Sequence, residues 1–411
     1  MPADLHLDMV DQIILLQIAA ILLAARFFAE LANRISIPAI IGELFAGIIL
    51  GPSLLGWIEP NDVLKLLAEL GIILLLFEVG LETELDKLIH SGSKAAVVAI
   101  SGFILPLILG FIAGYWIFNL SPIVSLFIGG TLTATSIGIT VRVLADLEKH
   151  TSREGQIVLG AAVIDDLLGV FLLAVLYEFS TSGQVEVENI ASVMFYVSLF
   201  FLLAPVAAKL LTPIIKHFHV NTDIPGLIPV TLVSLVLIFA YLAHLSGAPD
   251  LLGGFVAGIA LSRRFFLPMG TFIKADPDFT ADVHAKMKPI IQLFTPIFFV
   301  MVGLSLDLTA VDWGSLFIWI FSLTMLAIAI FGKMIGPFMI KEKNSTRLAI
   351  GMSMVPRGEV GLIFAEIGRT AGILDATVYA GIILVIAYTT IASPIWIKHY
   401  YRILEKSNKN K

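Results

Sequence analysis

The chain has 411 residues, 58% of them hydrophobic and only 14% charged, with a mean hydropathy of +0.96 and a formal net charge of −6. A water-soluble domain carries roughly 25% charged residues, so this composition excludes a wettable globule and makes lipid the solvent. The absence of cysteine excludes disulfides and thiolate metal sites, and the 8 histidines show no ligand-type spacing.

Apolar runs of about 20 residues suffice to cross about 30 Å of hydrocarbon. Thirteen are expected, near 12–32, 37–58, 62–81, 93–118, 122–146, 151–179, 190–217, 225–246, 249–264, 284–309, 315–340, 345–370 and 376–398. The acidic N-terminus, MPADLHLDMVDQ, lacks the basic region of a signal peptide, so the first run reads as a retained span. With the N-terminus outside, nearly every loop Lys and Arg falls inside, and the outside loops keep only Lys65 and Arg369. That asymmetry predicts an odd number of spans and a cytoplasmic C-terminus. The tail EKSNKNK is short, and no soluble regulatory domain is expected within the chain.

The second run repeats in the ninth: IPAIIGELFAGIILGP (37–52) matches APDLLGGFVAGIALSR (248–263) in its Pro, its Gly and its Ala-Gly-Ile step. The third repeats more weakly in the tenth, LLFEVGLETEL (75–85) with FFVMVGLSLDL (298–308). Each pair lies seven spans apart, an odd number, so its members cross in opposite directions. Such an inverted-topology repeat is common among secondary transporters. Chance similarity between Gly/Ala/Ile-rich segments is the plainer alternative.

The fifth run carries GGTLTATSIGITVRVL, where Gly129 and Gly130 precede Thr131, Thr133, Thr135 and Ser136. The twelfth carries GMSMVPRGEVGLIF, with Pro356 and Gly358 in mid-span. Proline removes a backbone donor and clashes with the preceding turn, so both runs are expected to be broken helices. Non-helical backbone at membrane depth survives only where protein or a wet cavity surrounds it. Its half-helix ends suit ion coordination. Arg357, Glu359 and Glu78 are the charges expected to neutralise those ends.

The sixth run, AAVIDDLLGVFLLAVL, holds Asp165 and Asp166 in its middle. A charge near the bilayer centre costs at least about 2.5–3.5 kcal/mol on insertion scales, so two in succession are hard to explain as packing. At 100° per residue they point in neighbouring but different directions. One can hold a mobile ion while the other pairs with a fixed cation; permanent salt bridging of both is the structural alternative. Lys333, at similar depth in the eleventh run, has no local acidic neighbour. A partner such as Asp165 is expected for it, the alternative being a snorkelling side chain. Elsewhere His217, His219 and His244 are read as loop or interface residues before they are read as pH sensors.

Together the Asp-Asp, TATS, PRGE, GK and VGL segments resemble a bacterial or archaeal monovalent cation:proton antiporter. The branch is the NapA-like one of the second cation:proton antiporter superfamily, related to the Kef potassium-efflux transporters, and the resemblance covers essentially the whole chain. It implies an all-α polytopic fold of thirteen helices, two six-helix inverted repeats with two discontinuous crossing helices. It implies dimer-scaffold helices in 1–92 and 223–310, core helices in 93–183 and 311–411, and a linker in 184–222. Matched position by position, Asp166 resembles the cation and proton carrier and Asp165 the neighbour that pairs with Lys333. Thr133 and Ser136 resemble the polar groups of the break beside the ion. Kef-type members typically show Gln-Asp at this pair and carry a cytosolic nucleotide-binding domain; this chain has Asp-Asp.

The resemblance implies electrogenic exchange of Na⁺ (or Li⁺) for H⁺ by alternating access. It implies no enzymatic activity and no cofactor, a homodimer in the cell membrane, and no nucleic-acid partner. K⁺/H⁺ exchange is the alternative within the class. An intramembrane aspartyl protease would need its two aspartates on different helices, and a passive channel fits poorly with inverted repeats.

Overall fold

In the computed structural model, residues 3–35, 37–82, 85–182, 195–196, 198–200, 203–204, 226–261, 277–309 and 311–409 are described. The expected linker, 184–222, falls outside them save for a few residues, as do His217 and His219. Fourteen α-helices follow in order among the described residues. They are α1 (Ala3–Arg34), α2 (Ala39–Leu50), α3 (Asp62–Glu82), α4 (Leu85–Ile112), α5 (Pro122–Thr133), α6 (Ile137–Asp146) and α7 (Arg153–Ser182), then α8 (Leu227–Leu245), α9 (Asp250–Leu261), α10 (Pro277–Leu304), α11 (Leu316–Ile335), α12 (Asn344–Ser353), α13 (Glu359–Thr370) and α14 (Ala376–Lys409). Every expected span except the seventh is represented, the fifth and twelfth each by two half-helices.

One expected span is helical over much less than its apolar length. The second run was expected over 37–58, but α2 stops at Leu50 because Gly51 and Pro52 cannot prolong it. The chain then folds back, with the amides of Trp57 and Ile58 both donating to the Leu50 carbonyl at 3.0 Å.

The repeat seen in the sequence is also a repeat in packing. A Cβ at Gly47 would strike the carbonyl oxygen of Val300, and one at Gly303 that of Leu44. In the matching segments, a Cβ at Gly258 would strike the Phe77 carbonyl and one at Gly80 that of Phe255. Glycine alone permits backbones to come this close. The correspondence extends to the neighbouring helices, where Gly42 lies on the Phe28 carbonyl and Gly253 on that of Phe239. Through these contacts α1, α2, α3, α8, α9 and α10 form one group; α4 packs on α5, α7 and α11, and α11 on α14, in a second.

One ionic cluster ties the second group together beside the turn after α11. Glu342 Oε1 lies 2.6 Å from Lys94 Nζ of α4 and 2.7 Å from Arg153 Nη2 of α7. Burial acts to raise the Glu342 pKa, but the hydrogen bonds and charges of Lys94 and Arg153 outweigh it and hold the group below its ordinary 4.5. Its contribution to stability is therefore full above pH 4.5 and is lost as pH falls through the depressed pKa. Thermal unfolding of Glu342→Gln should accordingly start from a lower melting temperature at neutral pH and show less acid sensitivity than the parent. Parallel curves for the two proteins would remove this cluster from the stability account.

Candidate ion-binding site

The broken spans are positioned by their own local chemistry. At the first break α5 ends at Thr133, Ala134 turns extended, and Ser136 caps α6 by accepting from the Ile139 amide. Gly129 and Gly130, expected near the break, remain helical: the first packs on Leu107 of α4 and the second on Phe364 of α13. At the second break Pro356 lies among five residues, 354–358, that separate α12 from α13. The two breaks are hydrogen-bonded to each other. The Ser136 amide donates to the Pro356 carbonyl at 2.8 Å, Thr135 Oγ1 to Met354 O at 3.3 Å, and Thr140 Oγ1 to Ser353 O at 2.8 Å. They therefore cross, and Gly358 leaves the space that Ser136 Oγ occupies.

Arg357 sits at this crossing, wholly buried. Its Nη1 donates to Val355 O at 2.9 Å and its Nη2 to Leu132 O at 2.7 Å and Ala329 O at 3.2 Å. Leu132 is in the last turn of α5, where carbonyls lack a partner within the helix and carry the negative end of its dipole. One guanidinium thus serves both breaks and α11, and Thr390 Oγ1 of α14 fixes the Arg357 carbonyl in turn. Glu359 opens α13, but its side chain lies outside the described residues.

Asp165 and Asp166 lie mid-way along α7 at 1% and 4% exposure. Lys333 Nζ of α11 stands 2.9 Å from both carboxylate oxygens of Asp165, and its side chain is fully buried. The snorkelling alternative therefore does not hold. Room for the lysine stem comes from Gly102 of α4, where a Cβ would lie 3.2 Å from Lys333 Cδ. Beyond the pair, α7 turns its next residues toward the crossing: Gly169 faces Val360 of α13, and Leu172 meets Gly130 of α5. Thr133 is buried, with its hydroxyl donating to Gly130 O at 2.7 Å. The structure thus brings the aspartate pair, Lys333, both breaks and Arg357 into one buried region.

Glu78 has a different partner from the one expected. It lies 3.3 Å from His284 Nε2 of α10, within the first helix group. Sequence reasoning also missed Gly102, which makes space for Lys333, and Glu43 of α2. Glu43 had a signal: within the repeat it stands opposite Gly254, a lone acid where its counterpart has no side chain.

A family model for the transmembrane sodium/hydrogen exchanger matches residues 18–402. The chain belongs to that family. It is 32% identical to the high-affinity Na⁺/H⁺ antiporter NhaS3 of Synechocystis, over 96% of this chain and 91% of that protein. It is also 32% identical to the Na⁺/H⁺-K⁺ antiporter GerN of Bacillus cereus, over 96% and 97%. In fold it is similar to the sodium proton antiporter MjNhaP1 of Methanocaldococcus jannaschii, with a TM-score of 0.66 at 18% identity over 94% of this chain and 96% of that one. As an exchanger it carries its two central carboxylates on one helix, whereas an aspartyl protease needs them on two. Among the described residues no group of three or more His, Cys, Asp or Glu could hold a resident metal ion.

Proposed function

We propose that this exchanger moves Na⁺ (or Li⁺) in one direction and H⁺ in the other across the cell membrane, by alternating access to Asp166. The observation that carries the proposal is the buried Lys333–Asp165 pair beside a second carboxylate, at the crossing of two broken helices. Asp166 binds either the cation or a proton, with polar groups of the break such as Thr133 and Ser136 completing the site. The two ligands compete, so proton binding from one side expels the cation bound from the other. Asp165 takes up a proton when it parts from Lys333, and two protons then exchange for one Na⁺. Each cycle moves one net charge, worth about 2.3 kcal/mol per 100 mV of membrane potential. Arg357 and Glu359 balance the half-helix ends that the breaks expose.

The helix group α1–α3 with α8–α10 serves as a static, dimer-forming scaffold, and α4–α7 with α11–α14 as the moving core. The glycine crossings support this division, because backbones in contact leave little freedom within the scaffold. The end of the bundle holding Arg34, Glu342 and Lys398 faces the cytoplasm, in keeping with the loop charges. Purified protein in liposomes should collapse an imposed pH gradient when Na⁺ or Li⁺ is added, faster under a potential that assists the net charge. No response to either ion would overturn the proposal. A response to K⁺ alone would favour the second reading, K⁺/H⁺ exchange, which the likeness to GerN, a Na⁺/H⁺-K⁺ antiporter, supports.

A further inference from the structure

Among the described residues outside the aspartate site, one carboxyl group is buried without a hydrogen bond. Glu43 of α2 is 0% exposed, and neither of its carboxylate oxygens has a hydrogen-bond partner. It lines a cavity of about 410 Å³ between α1 and α2 on one side and α6 and α14 on the other. These walls belong to the two helix groups, so the cavity lies on the boundary between them. Arg142 is six residues beyond the Ser136 cap, ~9 Å along α6 from the crossing of the breaks.

The charges around Glu43 are already committed. Arg26 of α1 donates to Gln292 O at 2.6 Å, and Arg142 of α6 stands 3.2 Å from its own neighbour Asp146. Glu30 of α1 and Lys398 of α14 complete the charged lining, α10 adds no side chain to it, and Glu78 of α3 acts on Arg142 and Asp146 from behind. With cations and anions balanced, the cavity selects neither a free cation nor an anion. A proton is the ligand that suits it, because a neutral carboxyl tolerates burial and an ionised one does not. On losing that proton Glu43 must draw Arg142 away from Asp146 or take up water, and the cavity has room for several waters.

We propose that Glu43 is a proton-binding site separate from the aspartate pair: protonated, it keeps the water of the cavity from passing between α2 and α6, and ionised, it draws that water in between the two helix groups. Only its consequence for transport rests on the exchange reading; the titration itself does not.

The cysteine-free chain makes the test direct. Ala39→Cys places a thiol on the cavity lining, and its labelling rate with a water-soluble maleimide is followed in detergent from acidic to alkaline pH. The rate is divided by that of the same thiol in a Glu43→Gln background, which cancels thiolate formation. The ratio should rise severalfold with pH, and should do so equally when Asp166→Asn is added to both. A flat ratio would overturn the proposal, and so would a rise abolished by Asp166→Asn, which would assign the titration to the aspartate site. If Glu43→Gln does not fold, Glu43→Asp should shift the labelling midpoint, and an unshifted midpoint is equally fatal. In liposomes Glu43→Gln should keep the maximal exchange rate and move its pH dependence; an unmoved pH profile would count against the site.

Discussion

Asp166→Asn should abolish coupled exchange while leaving the protein folded. Asparagine has nearly the same shape but neither ionises nor takes up a proton in this range, so it removes both halves of the competition at once. The substitution also takes a carboxyl out of a site only 4% exposed, which relieves a desolvation cost, so the melting temperature should hold or rise. The expected result in liposomes is no Na⁺-driven proton flux above protein-free controls, at any pH. Flux near the parent rate would move the carrier role elsewhere. Unfolded protein would instead mean that Asp166 is structural.

Lys333→Met should have the largest effect on stability. The lysine is fully buried and meets both oxygens of Asp165 at 2.9 Å. Removing one member of such a pair leaves an uncompensated charge and typically costs about 3–5 kcal/mol. Replacing both members, Lys333→Met with Asp165→Leu, should recover most of that loss, because the pair as a whole contributes little beyond its own desolvation. Thermal unfolding of the two variants in the same detergent checks this. Equal melting temperatures for parent and Lys333→Met would end the argument. If Lys333 exchanges places with a proton on Asp165 as proposed, transport by any folded Lys333 variant should also lose its response to membrane potential.

Much of this was legible because lipid imposes blunt rules. Length and apolarity marked every span but the seventh, though not its ends, and Pro356 marked the second break. Where sequence fell short, the missing information was tertiary. The first break falls in the TATS segment, as the resemblance implied, where Ser136 can cap a new helix; Gly129 and Gly130 just before it serve close packing and remain helical. Arg357 was expected at the broken ends, but its bonds to Leu132 and Ala329 are to backbone atoms that no side-chain pattern encodes. Glu78 looked like a mid-membrane charge in search of a helix end, and its ionic neighbour is a histidine over 200 residues away. Periodicity finds helices; it does not say which acid meets which base.

The reciprocal glycine crossings also bear on how the chain is built. At 12 residues α2 is only ~18 Å long, well short of the hydrocarbon thickness. The backbone that receives Gly47 belongs to α10, translated long after α2 has left the ribosome, while α9 docks on α3, which is already in place. The short helix α2 must therefore wait, incompletely housed, until the second half of the protein arrives. Biogenesis of this fold is consequently a matter of the halves completing one another, with the early half provisional until synthesis is nearly done.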